Sequence, residues 1–246
     1  MALNTEISWT DHTLNMWWGC VKISPGCKHC YADTLDHRYN HDDRHWGPGS
    51  TRKLVRSWRK NLNDMRKSAI ANNRRETVFV MSMGDIFEDE QPLSNNEGTP
   101  WNTTSDVRKD FFRIVHQYPE LIFLLLTKRP QNIRKHCPKS WNSFGECPDN
   151  VWFGYSVVEQ SEVDDIMWLH NAPGANNKFL SMEPLLGPVS LLSTGEFGSE
   201  QWINAVRWVI VGGESGNKAR PMNPEWARNL RNECQLSGVP FHFKQW

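Results

Sequence analysis

Seven short runs of apolar, β-branched or aromatic residues recur along the chain, and stretches with helical periodicity separate several of them. The runs are Ile7 to Thr10, Thr77 to Ser82, Leu121 to Thr127, Val151 to Val157, Lys178 to Glu183, Val206 to Val211 and Val239 to Lys244. Their length and composition predict buried strands. The helical stretches are Asp106 to Gln117, Gln160 to Asn171 and Pro224 to Leu236, so the order is strand, helix, strand, which argues for a parallel sheet. Asn223-Pro224 supplies a cap followed by proline at the first helical position, and Gly238 closes that helix before the last strand. Six such units and a seventh strand suit either a partial barrel or an open doubly wound sheet, and periodicity does not choose between them.

With 246 residues and 38% hydrophobic content, the chain buries one substantial core or at most two small ones. No repeat or Ser/Gly linker divides it, so a single domain over 1–246 is expected. The 28 basic and 28 acidic residues cancel, which leaves no global field drawing it to nucleic acid or anionic membrane. The longest apolar runs fall far short of the roughly 18 residues of a bilayer span, and the first ten residues lack a basic start followed by an apolar stretch. A cytoplasmic protein is therefore expected, with 13 tryptophans supplying large flat side chains to its core.

Three of the six cysteines crowd together as Cys20-x6-Cys27-x2-Cys30. In a reducing compartment such a cluster holds metal or does chemistry rather than forming disulfides. A zinc ion completed by His12, His29 or His37 is one reading. The other is a [4Fe-4S] cluster, for which four cysteines are usual, so that three leave one iron open to an outside ligand. The loop contains Ser24-Pro25-Gly26, able to wrap backbone around a cofactor, and Tyr31 begins a helical stretch. Cys137, Cys147 and His136 read as incidental, Cys234 as a small buried hydrophobe, and His37 to His45 as a polar surface loop.

Polar residues repeatedly follow the apolar runs: Met83-Gly84-Asp85, Lys128-Arg129, Ser156 with Glu159, Glu183, and Gly212-Gly213-Glu214. On parallel strands their carboxyl ends share one mouth, and the cysteine loop would meet them there.

Trp9-Thr10-Asp11, Trp18-Gly19-Cys20, Gly26-Cys27 through Tyr31-Ala32, Met83-Gly84-Asp85-Ile86-Phe87 and Leu126-Thr127-Lys128-Arg129-Pro130 carry a further signal. With Ser181-Met182-Glu183-Pro184-Leu185-Leu186-Gly187-Pro188, Gly212-Gly213-Glu214-Ser215-Gly216 and Lys244-Gln245-Trp246, they span nearly the whole chain in order. Together they resemble the radical S-adenosylmethionine (radical SAM) superfamily, and more closely its phage-associated branch. Two departures stand out. Six residues separate the first two cysteines where the commonest motif has three, with His29 in the aromatic position, and Met83-Gly84-Asp85 replaces the usual Gly-Gly-Glu.

The resemblance implies an α/β fold, a partial (β/α)6 TIM-like barrel of parallel strands with the cluster loop after the first strand. It implies a [4Fe-4S] cluster on Cys20, Cys27 and Cys30, its fourth iron chelated by the amino and carboxylate groups of S-adenosyl-L-methionine (SAM). One-electron reduction, by a donor such as flavodoxin or ferredoxin, would cleave SAM to methionine and a 5′-deoxyadenosyl radical that abstracts hydrogen from substrate. The methionine end falls to Gly84 and Asp85, and the ribose to Ser156 and Glu159. Glu183, Gly212, Gly213 and Glu214 face SAM or substrate, and Lys128 and Arg129 pair with the SAM carboxylate or a substrate phosphate.

For the substrate, the run Arg52, Lys53, Arg56, Arg59, Lys60, Arg66, Lys67, Arg74 and Arg75 is strongly basic, with Asp64 the only acid between its ends. Positions 52, 56, 59, 60, 66 and 67 are expected to form one basic helical face, with Arg56 and Arg59 on phosphate and Trp58 free to stack. A solvated exterior helix is the plainer reading. The leading expectation is thus a radical SAM enzyme acting on a nucleotide or nucleic acid. Its rivals are a DNA-lesion repair lyase of the same chemistry and a non-enzymatic, zinc-stabilised interaction domain.

Overall fold

The computed structural model describes residues 3–40, 43–142, 146–174, 177–192 and 201–246. Its strands are β1 (His12–Leu14), β2 (Trp17–Trp18), β3 (Arg52–Leu54), β4 (Glu76–Val80), β5 (Leu93–Ser94), β6 (Leu121–Thr127), β7 (Val151–Tyr155), β8 (Lys178–Met182), β9 (Val209–Gly212) and β10 (Phe241–Gln245). Seven form one sheet in the order β1-β4-β6-β7-β8-β9-β10, every neighbour parallel. The sheet curls into a half-barrel with β1 and β10 at its edges. A small second sheet, β2-β3-β5, was not foreseen. Its strands are two or three residues long, too short for a periodicity to register.

The helices are α1 (Tyr31–Asn40), α2 (Trp58–Ala71), α3 (Thr104–Ile114), α4 (Ile133–His136), α5 (Ile166–His170) and α6 (Pro224–Ser237). Helix α6 starts on its Asn223 cap and ends at Gly238, whose φ of 67° is the left-handed conformation glycine adopts freely. A reciprocal capping box between Thr103 and Asp106 opens α3. The helix expected over Gln160 to Asn171 divides into a 3-10 segment, Gln160–Asp165, and α5.

Both faces of the sheet are buried, which explains why its strands read as apolar runs rather than alternating ones. On the helix-covered face, Val78, Val80, Phe123, Leu125, Val209 and Val211 pack with Trp58, Leu62 and Met65 of α2, Phe111 of α3 and Leu230 of α6. On the other face, Phe79, Leu124, Phe179 and Ile210 close around Trp9. Gly154 belongs to this second layer, because a β-carbon there would stand 2.2 Å from Cζ of Phe179.

Here the first strand differs from expectation: it is His12–Leu14, and Ile7 to Thr10 is not a strand. Trp9 is 6% exposed, its ring 4.8 Å from that of Phe79 and 6.3 Å from that of Trp208. The apolar residues that suggested a strand instead plug the open face of the half-barrel. Likewise, Val206 ends the 3-10 turn Trp202–Ala205, which delays the ninth strand to Val209.

The basic run is not one helical face. Arg52 lies in β3, wholly buried against Glu88, and Arg56 precedes α2 with Nη2 on the Glu97 carbonyl at 2.9 Å. Arg59 pairs with Asp110, Arg66 with Glu120, Lys60 and Lys67 with Asp64, and Arg74 with Asp11. Trp58, expected to be free for stacking, is fully buried because it begins the apolar stripe Trp58, Leu62, Met65, Ala69 that docks α2. His45, expected on a surface loop, is also fully buried and bonded to Asp36, while His41 and Asp42 lie outside the described residues. Cys234 is buried as expected. No helix among the described residues is long and apolar enough to cross a membrane.

Candidate functional site

At the carboxyl ends of the parallel strands lies a cavity of about 580 Å3. Its floor is apolar, formed by Ile7, Trp9, Phe79 and Leu126, and its rim carries the residues that follow the strands. Gly84 and Asp85 follow β4, Lys128 and Arg129 follow β6, Ser156 follows β7, Glu183 follows β8, and Gly213 and Glu214 follow β9. Cys20, Cys27 and Cys30 line the same cavity, so the structure brings together the three cysteines and most of the predicted polar residues. A parallel bridge between Gly19 and Gly84 fixes where the cysteine loop begins.

Two predicted binding residues stand apart. Glu159 is not part of the cavity wall, and its carboxylate accepts a 2.8 Å hydrogen bond from the Ser161 hydroxyl. Gly212 lies behind the wall, where a β-carbon would stand 2.6 Å from Oε1 of Glu183, so it makes room for that carboxylate. Arg56 and Arg59 are likewise remote from the cavity.

The cysteine loop is fastened at several points. Val21 N donates to Glu88 Oε1 at 2.9 Å, and Val21 O accepts from Arg129 Nη2 at 2.8 Å. Ser24 Oγ donates to Glu162 at 2.8 Å, while the Pro25 carbonyl accepts from Arg220 at 3.1 Å. His29 Nδ1 lies 2.9 Å from Glu214 Oε2, and Tyr31 Oη donates to the Ser82 carbonyl at 2.8 Å. Arg52 in turn holds Glu88 through both Nε and Nη2. The sequence singled out neither Glu88, Glu162 nor Arg220 as site residues, because each acts from a distant segment and carries no local motif.

Asp85 sits at the rim, but its acceptors are occupied by the protein. Oδ1 accepts from Phe87 N at 2.9 Å and Thr127 Oγ1 at 2.8 Å; Oδ2 accepts from Lys128 N at 3.2 Å and Arg129 Nη1 at 2.9 Å. It thereby holds the Thr127–Arg129 corner. Glu214 is similarly engaged: hydrogen bonds from the Arg220 side chain, partly offset by burial and aided by the Arg220 backbone and His29, hold its carboxyl at about 2, well below its ordinary value. Glu183 faces Lys244 Nζ at 3.2 Å, and Lys22 pairs with Asp33. Lys128 differs, since its Nζ donates to the neutral Ser156 hydroxyl at 2.8 Å, leaving it able to receive an anion.

The Cys20 and Cys30 thiols are in a setting that disfavours charge without a partner. Burial, followed by the nearby Asp85 and Glu88 carboxylates, pushes Cys20 up to about 12 against the opposing influence of Arg129, and burial also raises Cys30. Half-buried cysteines lining a cavity fit a soft metal centre that replaces their protons. Arg129 Nη1 already points an N–H at Cys20 Sγ from 3.6 Å. Trp9 Nε1, buried at the cavity floor, has no hydrogen-bond partner in the protein. Among the described residues, no group of three or more His, Cys, Asp or Glu side chains is placed to share a single metal ion. A polynuclear cluster makes a different demand, because each thiolate binds a separate iron.

The fold and site define a class: a parallel α/β half-barrel that presents an anchored three-cysteine loop to a cavity at its strand ends. Over residues 4–246 the chain matches the family described as "Protein of unknown function (DUF5131)", and it belongs to that family. No curated protein and no solved structure matches it.

Proposed function

We propose that the protein is a radical SAM enzyme. The observation that carries the reading is the placement of Cys20, Cys27 and Cys30 on one fastened loop, all facing the strand-end cavity with Gly84, Ser156 and Glu183. Those thiolates would hold a [4Fe-4S] cluster with one iron open to SAM. When bound, the cluster supplies one electron, taken from a donor such as flavodoxin or ferredoxin, that splits SAM into methionine and a carbon radical able to take hydrogen from a substrate. The chain's own contributions are binding, orientation and exclusion of water. Lys128 offers its ammonium to a carboxylate or phosphate, Glu183 and Ser156 offer acceptors, and the Ile7, Trp9, Phe79 and Leu126 floor keeps the cavity apolar.

The expectation of a nucleotide or nucleic-acid substrate draws on the basic run, of which Arg59, Lys60, Arg66, Lys67 and Arg74 pair with carboxylates away from the cavity. The reading is therefore confined to the reaction class. Anaerobic reconstitution with iron and sulfide tests it. About four irons per chain and a reduced EPR signal that shifts on adding SAM are expected. Stoichiometric zinc, or no SAM-responsive signal, would overturn it in favour of a structural metal.

A further inference from the structure

Lys128 and Arg129 follow β6 as neighbours, yet their side chains diverge: Lys128 reaches Ser156, while Arg129 turns beneath the cysteine loop. Arg129 is 7% exposed, and both of its Nη atoms are bonded within the protein. Nη1 reaches Asp85 Oδ2 at 2.9 Å and Cys20 Sγ at 3.6 Å, and Nη2 donates to the Val21 carbonyl at 2.8 Å. Its backbone N–H is fixed on Thr127 Oγ1 at 2.8 Å, and Asp85 is itself held by Phe87 N, Thr127 and Lys128 N. Both Nη atoms of the guanidinium are thus engaged by the protein. Among the described residues, Cys20 is the one cysteine of the three whose sulfur receives a hydrogen bond from a charged side chain.

We propose that Arg129 is a positioning residue for the iron–sulfur site: its N–H at Cys20 Sγ sets the reduction potential, and Asp85 sets how much of its charge that sulfur feels. The inference rests on the cluster reading above. Reduction adds one electron, and so one negative charge, to a group bounded by thiolates. A cationic N–H donor at a ligand sulfur stabilises that charge and raises the potential. Asp85 works in the opposite sense, because its carboxylate, 2.9 Å from Nη1, cancels part of the guanidinium charge. The two residues thus act on one sulfur with opposite signs, which a purely structural ion pair would not do.

The test is a redox titration of the reconstituted full-length protein, reduced by dithionite and read by EPR, with iron content measured on the same samples. Arg129→Leu is expected to shift the midpoint to more negative potential at undiminished iron content, and Arg129→Lys to shift it less. Asp85→Asn, which leaves Arg129 unneutralised, is expected to shift it to more positive potential. Equal midpoints in iron-loaded variants would overturn the inference, as would Arg129→Leu and Asp85→Asn moving together in one direction. Should Arg129→Leu fail to fold, Arg129→Lys and Asp85→Asn decide the matter. Wild-type protein that takes up no iron would overturn the cluster reading and this inference with it, whereas iron-loaded variants with unchanged midpoints would overturn this inference alone.

Discussion

Single residues in this molecule answer to their neighbours more than to their own chemistry. Cys20, Cys27 and Cys30 are the exception: serine keeps a donor and an acceptor where Cys20 meets Val21 and Arg129, and each replacement by serine is expected to abolish iron loading while the circular dichroism stays that of the wild type. Gly154 is fixed by a ring: with Phe179 Cζ 2.2 Å from where a β-carbon would stand, Gly154→Ala is expected to cost about 1–3 kcal/mol in denaturant unfolding. Glu214 ties His29 and Arg220 together, and its carboxyl is held at about 2 rather than 4.5. A carboxyl with a depressed folded-state value contributes stability above its unfolded value and loses it as the pH falls. The stability gap between wild type and Glu214→Gln is therefore expected to be full above pH 4.5 and to shrink as the pH is lowered toward about 2. A gap independent of pH would show that Arg220 does not hold this carboxyl.

Among the elements, α2 separates what charge suggests from what packing does. Its sequence is dominated to the eye by Arg59, Lys60, Arg66 and Lys67, but these spread over ion pairs while Trp58, Leu62, Met65 and Ala69 fix it to the sheet. Leu62→Ala is expected to cost about 2–5 kcal/mol in thermal or denaturant unfolding. The double substitution Arg56→Glu, Arg59→Glu breaks a part-exposed pair, of a kind worth about 0.2–1 kcal/mol, and is expected to leave iron content and SAM response unchanged. A loss of SAM response in that double variant would return the basic run to the site. The segment Ile7 to Thr10 shows the same contrast, because apolar residues that look like a strand serve as the plug beneath the cavity.

Across the whole molecule, the half-barrel brings six strand ends and one loop to a common mouth, so residues from Cys20 to Lys244 border one space. The buried chain Asp36, His45, Arg52, Glu88 and Arg129 connects α1 to the cysteine loop. Replacing one partner of a buried ion pair leaves the other desolvated and unpaired. Glu88→Gln is accordingly expected to reduce iron loading together with thermal stability, as measured by iron content and the unfolding midpoint.

The sequence by itself determined the parallel α/β sheet, the boundaries of α6 and the three-cysteine loop, because these depend on local periodicity, capping and short spacing. Leu121 to Thr127 coincides with β6, and Asn223-Pro224 and Gly238 bracket α6. Tertiary structure alone decided the roles of Trp9, Trp58, Asp85 and the basic run. Each of these is settled by a partner tens of residues away: Phe79 and Trp208 for Trp9, the sheet for Trp58, Thr127 and Arg129 for Asp85, and Asp110 and Glu120 for Arg59 and Arg66. Burial and charge pairing are properties of the packed chain, and no local window contains them.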